Sequence, residues 1–90
     1  MILPSAVRVI ESEAFMNTEA EQIILPESVE QIASRAFADS EALRLINLPD
    51  RLTFIADDAF AGCDGVKAVC SAGSYAYTWC EQHGIEIVLR

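Results

Sequence analysis

Four side chains in the last third of this 90-residue chain, Cys63, Cys70, Cys80 and His83, have chemistry that reaches beyond packing. Two reactions come into view. A structural zinc ion takes four soft ligands converging tetrahedrally, and a histidine beside a thiol can withdraw its proton and make it a nucleophile. Spacing argues against zinc, because positions 63, 70, 80 and 83 follow none of the standard ligand patterns. Cys80 and His83 bring no third group to orient the histidine and no identifiable oxyanion donor, and a histidine at a helix C-terminus is explained by the helix dipole alone. The adjacent carboxylates Asp57 and Asp58 suggest paired acids of glycosidase type, yet no aromatic platform for a sugar accompanies them, and turn residues facing solvent are the simpler account. No catalytic, metal or cofactor-binding residue is assigned, and no cofactor is expected. Three cysteines cannot all pair within the chain and are too few for a disulfide scaffold, so their redox state stays open.

The elements that must hold these residues belong to one small domain, residues 1–90, whose stability margin is thin at this length. Hydrophobic residues make up 52% and charged residues 22%, a balance far from the signature of disorder. Fourteen acidic residues oppose six basic ones for a net charge of −8, and the basic ones nowhere cluster. That excludes binding through a nucleic-acid backbone and disfavours anionic membrane surfaces. No basic segment followed by an apolar core opens the chain, so no signal peptide is expected, and no run approaches the roughly 20 apolar residues of a membrane span. Localisation is left open.

The organisation is a repeat. Phe15, Phe37 and Phe60 are spaced by 22 and 23 residues, and Pro4, Pro26 and Pro49 repeat at the same spacings, each eleven residues before its phenylalanine. Further columns line up between them: Val7, Val29 and Leu52; Ile10, Ile32 and Ile55; Ala14, Ala36 and Ala59. A small residue stands three places after each phenylalanine, Thr18, Ser40 and Cys63. The second half of the unit runs Leu43, Ile46, Leu48 in the middle copy and Ala20, Ile23, Leu25 in the first. In the last copy, Val66 and Val69 align there, with Ser71 in the leucine column. A period of this length, in units too small to bury their own apolar face, predicts a solenoid whose coils share one continuous core. The Leu43 to Leu48 alternation before a proline reads as a short strand, and "SVEQIASRAFADS", with apolar spacings of three and four, reads as a turn or helical segment.

The unit "LPESVEQIASRAFADSEALRLINLP" resembles the BspA-like class of leucine-rich repeats, approximately LPxSVxxIxxxAFxxCxxLxxIxLP. Three copies fit residues 1–71, and "SAGSYAYTWCEQHGIEIVLR" is similar to the C-terminal segment that closes such arrays. Thr18 and Ser40 depart from the usual cysteine, and Ala20 from leucine. The resemblance implies an α/β fold: a short leucine-rich-repeat solenoid of about three coils, 22–23 residues each, with a parallel sheet on one face, closed by a C-terminal helix and strand. It implies binding or display, commonly within larger bacterial cell-surface or secreted proteins, without catalytic residues.

Residues 72–90 form the expected cap. Ser74 is suited to accept from a first-turn amide and Gly84 to end a helix in a left-handed conformation. Ala76, Trp79, Cys80 and His83 share one face of that helix, which predicts that Trp79 covers the end of the last coil. Tyr75 and Tyr77 lie off that face and are expected to pack on the last coil's loop, and Ile85 to Leu89 adds a final strand. The strand positions between the apolar ones, Gln22, Ile24, Arg44, Asn47, Lys67, Ala68 and Cys70, are the expected interaction surface for a protein or surface-glycan ligand of unknown identity. Two other roles are weighed below this one: a purely structural terminator of a longer array, and, third, a thiol-dependent enzyme. Met1 and Leu3 fall in strand columns, so the chain is expected to begin inside a strand. An apolar end of Ile2, Leu3, Val7 and Ile10 is then expected to favour self-association.

Overall fold

The computed structural model describes residues 3–90. Each coil is built by the same sequence of local devices. The proline carbonyl accepts the N–H three residues on, Pro4 from Val7, Pro26 from Val29 and Pro49 from Leu52, which closes a turn that proline's fixed φ favours. After that turn come two-residue strands, β1 (Val9–Ile10), β3 (Gln31–Ile32) and β5 (Phe54–Ile55), paired in parallel in the order β1-β3-β5. On the other side of each coil lie β2 (Gln22–Ile23), β4 (Leu45–Asn47) and β6 (Lys67–Cys70), which with β7 (Glu86–Leu89) form a second parallel sheet of order β2-β4-β6-β7. The final strand, β7, follows the one helix among the described residues, α1 (Tyr75–His83).

The solenoid of three coils with its helix-and-strand closure is thus the architecture, and it carries one ladder more than expected. The "SVEQIAS" segment forms turns flanking the short strand β3, with no helix. Its register places Ile10, Ile32 and Ile55 in line, so the isoleucine column faces inward at every level. A third set of backbone bonds joins the coils along the Ala-Phe segment: Phe15 N–H donates to Ala36 C=O, and Phe37 N–H to Ala59 C=O.

Phenylalanines stack through the core. Phe15 and Phe37 lie with centroids 5.6 Å apart and planes within 10°, Phe37 and Phe60 at 5.1 Å and 7°. Phe37 is 0% exposed, and Ala36 and Ala59 beside the stack are buried as well. The column of small residues has a task beyond size: Ser40 Oγ donates to Phe15 C=O and the Cys63 thiol to Phe37 C=O. Phe15 C=O also accepts Thr18 N–H at 3.2 Å, whereas for Phe37 C=O the Cys63 thiol is the partner that keeps a buried carbonyl satisfied. Two residues after each phenylalanine the chain turns through positive φ, at Asn17, Asp39 and Gly62. Asn, Asp and Gly are the residues that tolerate this conformation best.

At the first coil, Leu3 and Val7 pack half-buried against the core, whereas Ile10 is 2% exposed and is no part of an open apolar end. The half-buried ring of Phe15 takes that place. Met1 and Ile2 lie outside the described residues.

The cap forms as its residues dictate. Ser74 Oγ accepts from Tyr77 N–H, and Gly84, at φ 71°, donates its N–H to Cys80 C=O. Ala76, Trp79 and Cys80 are buried, and Trp79 tilts onto Phe60 at 5.8 Å, continuing the aromatic column into the helix. Tyr75 is 39% exposed, but its hydroxyl accepts Ile55 N–H at 3.0 Å and so ends the β1-β3-β5 ladder. Tyr77 packs partly buried against the core.

Candidate functional site

The outer face of the β2-β4-β6-β7 sheet is set by its register. Gln22, Leu45, Lys67 and Glu86 form one row, and Asn47, Val69 and Val88 the next, with Ile24 continuing that row beyond β2. The residues between, Ile23, Ile46 and Ala68, point into the core. A shallow groove of about 270 Å³ crosses this face, lined by Gln22, Ile24, Leu45, Asn47, Val69 and Arg90. Its walls are mainly aliphatic, and its rim is charged: Lys67 meets Glu86 at 3.5 Å, and Arg90 meets Asp50 at 3.0 Å while donating to Leu48 C=O.

Of the residues expected on this surface, Gln22 and Ile24 line the groove and Lys67 stands at its edge. Arg44 is exposed just before β4, with its guanidinium close to Gly65. Asn47 lines the groove but its amide is committed: Oδ1 accepts Leu25 N–H at 2.6 Å and Nδ2 donates to Leu25 C=O at 2.8 Å. It splices the second coil onto the first. Cys70 and Ala68 do not belong to the surface, since both are 0% exposed. The pairing Ile46 with Ala68 and Asn47 with Val69 shifts the third copy by one residue, so that Ala68 and Cys70 face inward and Val69 outward. Small side chains are needed in β6 because α1 lies against it, with the Cys70 and Cys80 thiols in contact. Leu45, Val69 and Arg90 complete the groove and were not in the expected set. The inward alternation Val66, Ala68, Cys70 was the signal for Val69.

The thiols and His83 are not assembled for nucleophilic chemistry. Burial, with Cys70 alongside, pushes the Cys80 thiol up to about 12, and burial likewise raises Cys63 and Cys70. A thiol held this way is a poor source of thiolate. His83 turns both ring nitrogens elsewhere, Nδ1 to Trp79 C=O at 2.8 Å and Nε2 to Asp57 at 3.1 Å, while its ring stacks on the indole at 3.9 Å. His83 therefore seals the outer side of Trp79. Between this cap and the third coil lies a polar cleft of about 320 Å³, with Asp57, Cys63, Asp64, Trp79 and His83 in its walls. Asp57 is bound to the histidine, and Asp58 accepts from Ser34 Oγ and Arg35 N–H in the preceding coil, so the two acids serve different neighbours. Among the described residues, no group of three or more Cys, His, Asp or Glu side chains is placed to hold a metal ion, and no helix is long and apolar enough to cross a membrane.

Parallel ladders recurring every 22 to 23 residues, an aromatic column between them and a helical lid define a leucine-rich-repeat solenoid. The chain belongs to the BspA-type leucine-rich repeat family: the family model described as BspA type leucine rich repeat region (6 copies) matches residues 8–85. No curated protein and no solved structure matched the chain in the corresponding comparisons.

Proposed function

We propose that this chain is a non-catalytic interaction or display module that receives a protein ligand on the outer face of the β2-β4-β6-β7 sheet. One observation carries the reading. On a chain of net charge −8, this face gathers aliphatic side chains, with Ile24 at 41% and Val88 at 41% exposure, and borders them with Arg44 and with the ion pairs of Lys67 with Glu86 and Arg90 with Asp50. Exposed apolar residues rimmed by polar ones mark contact surfaces, and a groove of this character suits an extended segment carrying apolar and acidic side chains. Membership in a repeat family supports the module reading, and display at a bacterial surface is the setting we propose with it. The test is binding of the isolated domain to peptide and glycan arrays, beside Leu45→Glu and Ile24→Glu. Peptide spots should weaken about tenfold or more, the equivalent of roughly 1.4 kcal/mol. Equal binding by the variants would remove this face from the reading, and glycan spots lost in place of peptides would change the ligand class.

A second, structural reading rests on the cap: Trp79 closes the aromatic column and Tyr75 ends the β5 ladder, which suits a terminator of an array. Deleting residues 72–90 should then yield an aggregating chain. A soluble, folded truncation would argue against it.

A further inference from the structure

The four-stranded sheet ends on β7, which has a neighbouring strand on one side only. Between Ile85 and Leu89 its single charged residue is Glu86, and Val88 and Leu89 are 41% and 60% exposed. An edge of this composition is a template for another strand. Which backbone groups it offers follows from its ladder with β6. Arg90 N–H donates to Cys70 C=O, and in parallel pairing alternate residues turn their N–H and C=O to opposite sides. The groups of Ile87 and Leu89 therefore face away from β6.

We propose that β7 pairs antiparallel with the β7 of a second copy of this chain, about a two-fold axis at Val88, joining the two sheets into one. Three independent features agree with that register. First, Ile87 and the partner's Leu89 become a hydrogen-bonded pair exchanging both N–H···O=C bonds, and these are the residues whose groups point outward. Val88 meets the partner's Val88 in the closer pair that needs no hydrogen bonds. Second, the alternation of faces is kept across the seam. Ile87 and Leu89 lie on the core side, so the pairing covers Leu89, the most exposed of the large apolar residues among those described. Third, Glu86 falls opposite the partner's Arg90, both on the outer face, and opposite charges in facing positions favour pairing. Arg90 already meets Asp50 at 3.0 Å and Glu86 meets Lys67 at 3.5 Å, so the seam extends an existing charge network. An axis shifted by one residue loses this: at Ile87 it sets Glu86 against the partner's Val88, and at Leu89 it sets Arg90 there. The contact is isologous and closes at a dimer.

The test is the solution mass of the full chain by light scattering and sedimentation over a concentration series up to millimolar. The wild type should rise to twice the monomer mass and stay there. Val88→Lys puts like charges face to face at the axis while altering a solvent-facing side chain of the monomer. Leu89→Pro removes an N–H that β6 does not use. Both should keep the monomer mass with an unchanged circular dichroism spectrum. Val88→Cys should form a disulfide-linked dimer under mild oxidation, since facing residues of a non-hydrogen-bonded pair lie within disulfide reach, whereas Glu86→Cys should not. A wild type that remains monomeric, a Val88→Lys variant that still dimerises, or a mass that climbs without a plateau would each overturn the proposal. The last would indicate stacking of coil ends instead.

Discussion

Replacing Phe37 by alanine tests the stack from the inside. The ring is wholly buried between two others, at 5.6 Å and 5.1 Å, so the substitution removes its transfer energy and both aromatic contacts at once. Collapse around the gap is resisted, because the coils on either side are held at ladder spacing by Phe15 N–H to Ala36 C=O and Phe37 N–H to Ala59 C=O. A cavity that cannot collapse belongs at the upper end of the range for such changes, about 3 to 5 kcal/mol. A domain of this size has a total stability of roughly 5 to 10 kcal/mol, so Phe37→Ala should be largely unfolded at modest urea and Phe37→Leu intermediate. Phe15, half-buried at the end of the same stack, provides the internal control: Phe15→Ala should cost about half as much or less. Urea titrations followed by far-ultraviolet circular dichroism measure all three. Equal losses for Phe15→Ala and Phe37→Ala, or a loss below about 1.5 kcal/mol for Phe37→Ala, would refute the idea that the central ring is locked between fixed coils.

Two further outcomes follow from the thiols. Cys63→Ser should be close to neutral, since Ser40 fills the same column and bonds a phenylalanine carbonyl with its hydroxyl, while Cys63→Ala should cost about 1 to 3 kcal/mol by leaving Phe37 C=O unpartnered; denaturation midpoints of the two variants decide it. The thiol contribution to stability should be constant in pH up to about 8 and fall above that, because the unfolded chain releases the Cys80 proton near the ordinary thiol pKa of about 8.5 whereas the folded chain holds it to about 12; Cys80→Ala should lessen that decline, leaving the part due to Cys63 and Cys70, and an unchanged slope in the variant would contradict the assignment.

The stack and the cap were legible because each rests on residue types with few alternative uses. Three phenylalanines and three prolines at matching spacings have no reason to repeat unless coils stack, and Ser74 with Gly84 frames a helix whose caps are realised. The β1-β3-β5 ladder was harder to see. Its strands are two residues long, too short to show alternation, and the coil's curvature sets Val29, Ile32 and Ala36 at intervals that mimic a helix. In the third copy, matching the larger Val69 to Ile46 concealed the register, since the space left by α1 calls for Ala68 and Cys70 inside. Asn47 offered a missed cue. Asparagine is disfavoured in strands, and in the row of Ile24 and Val69 it marks a side chain bonded to the neighbouring coil's backbone.

The positive-φ residues carry one more implication, for where the shape of a coil resides. Glu13 and Asn17 in the first coil, and Arg35 and Asp39 in the second, adopt a left-handed conformation that costs an L-residue roughly 1 to 2 kcal/mol. All four are held by an N–H bond to the next coil: Glu13 to Ser34 C=O, Asn17 to Ala38 C=O, Asp39 to Ala61 C=O, and Arg35 to the Asp58 carboxylate. A solitary repeat has nothing to offset that cost. The 22-residue unit therefore specifies its neighbours more firmly than itself, and its outline exists only as a property of the assembled row.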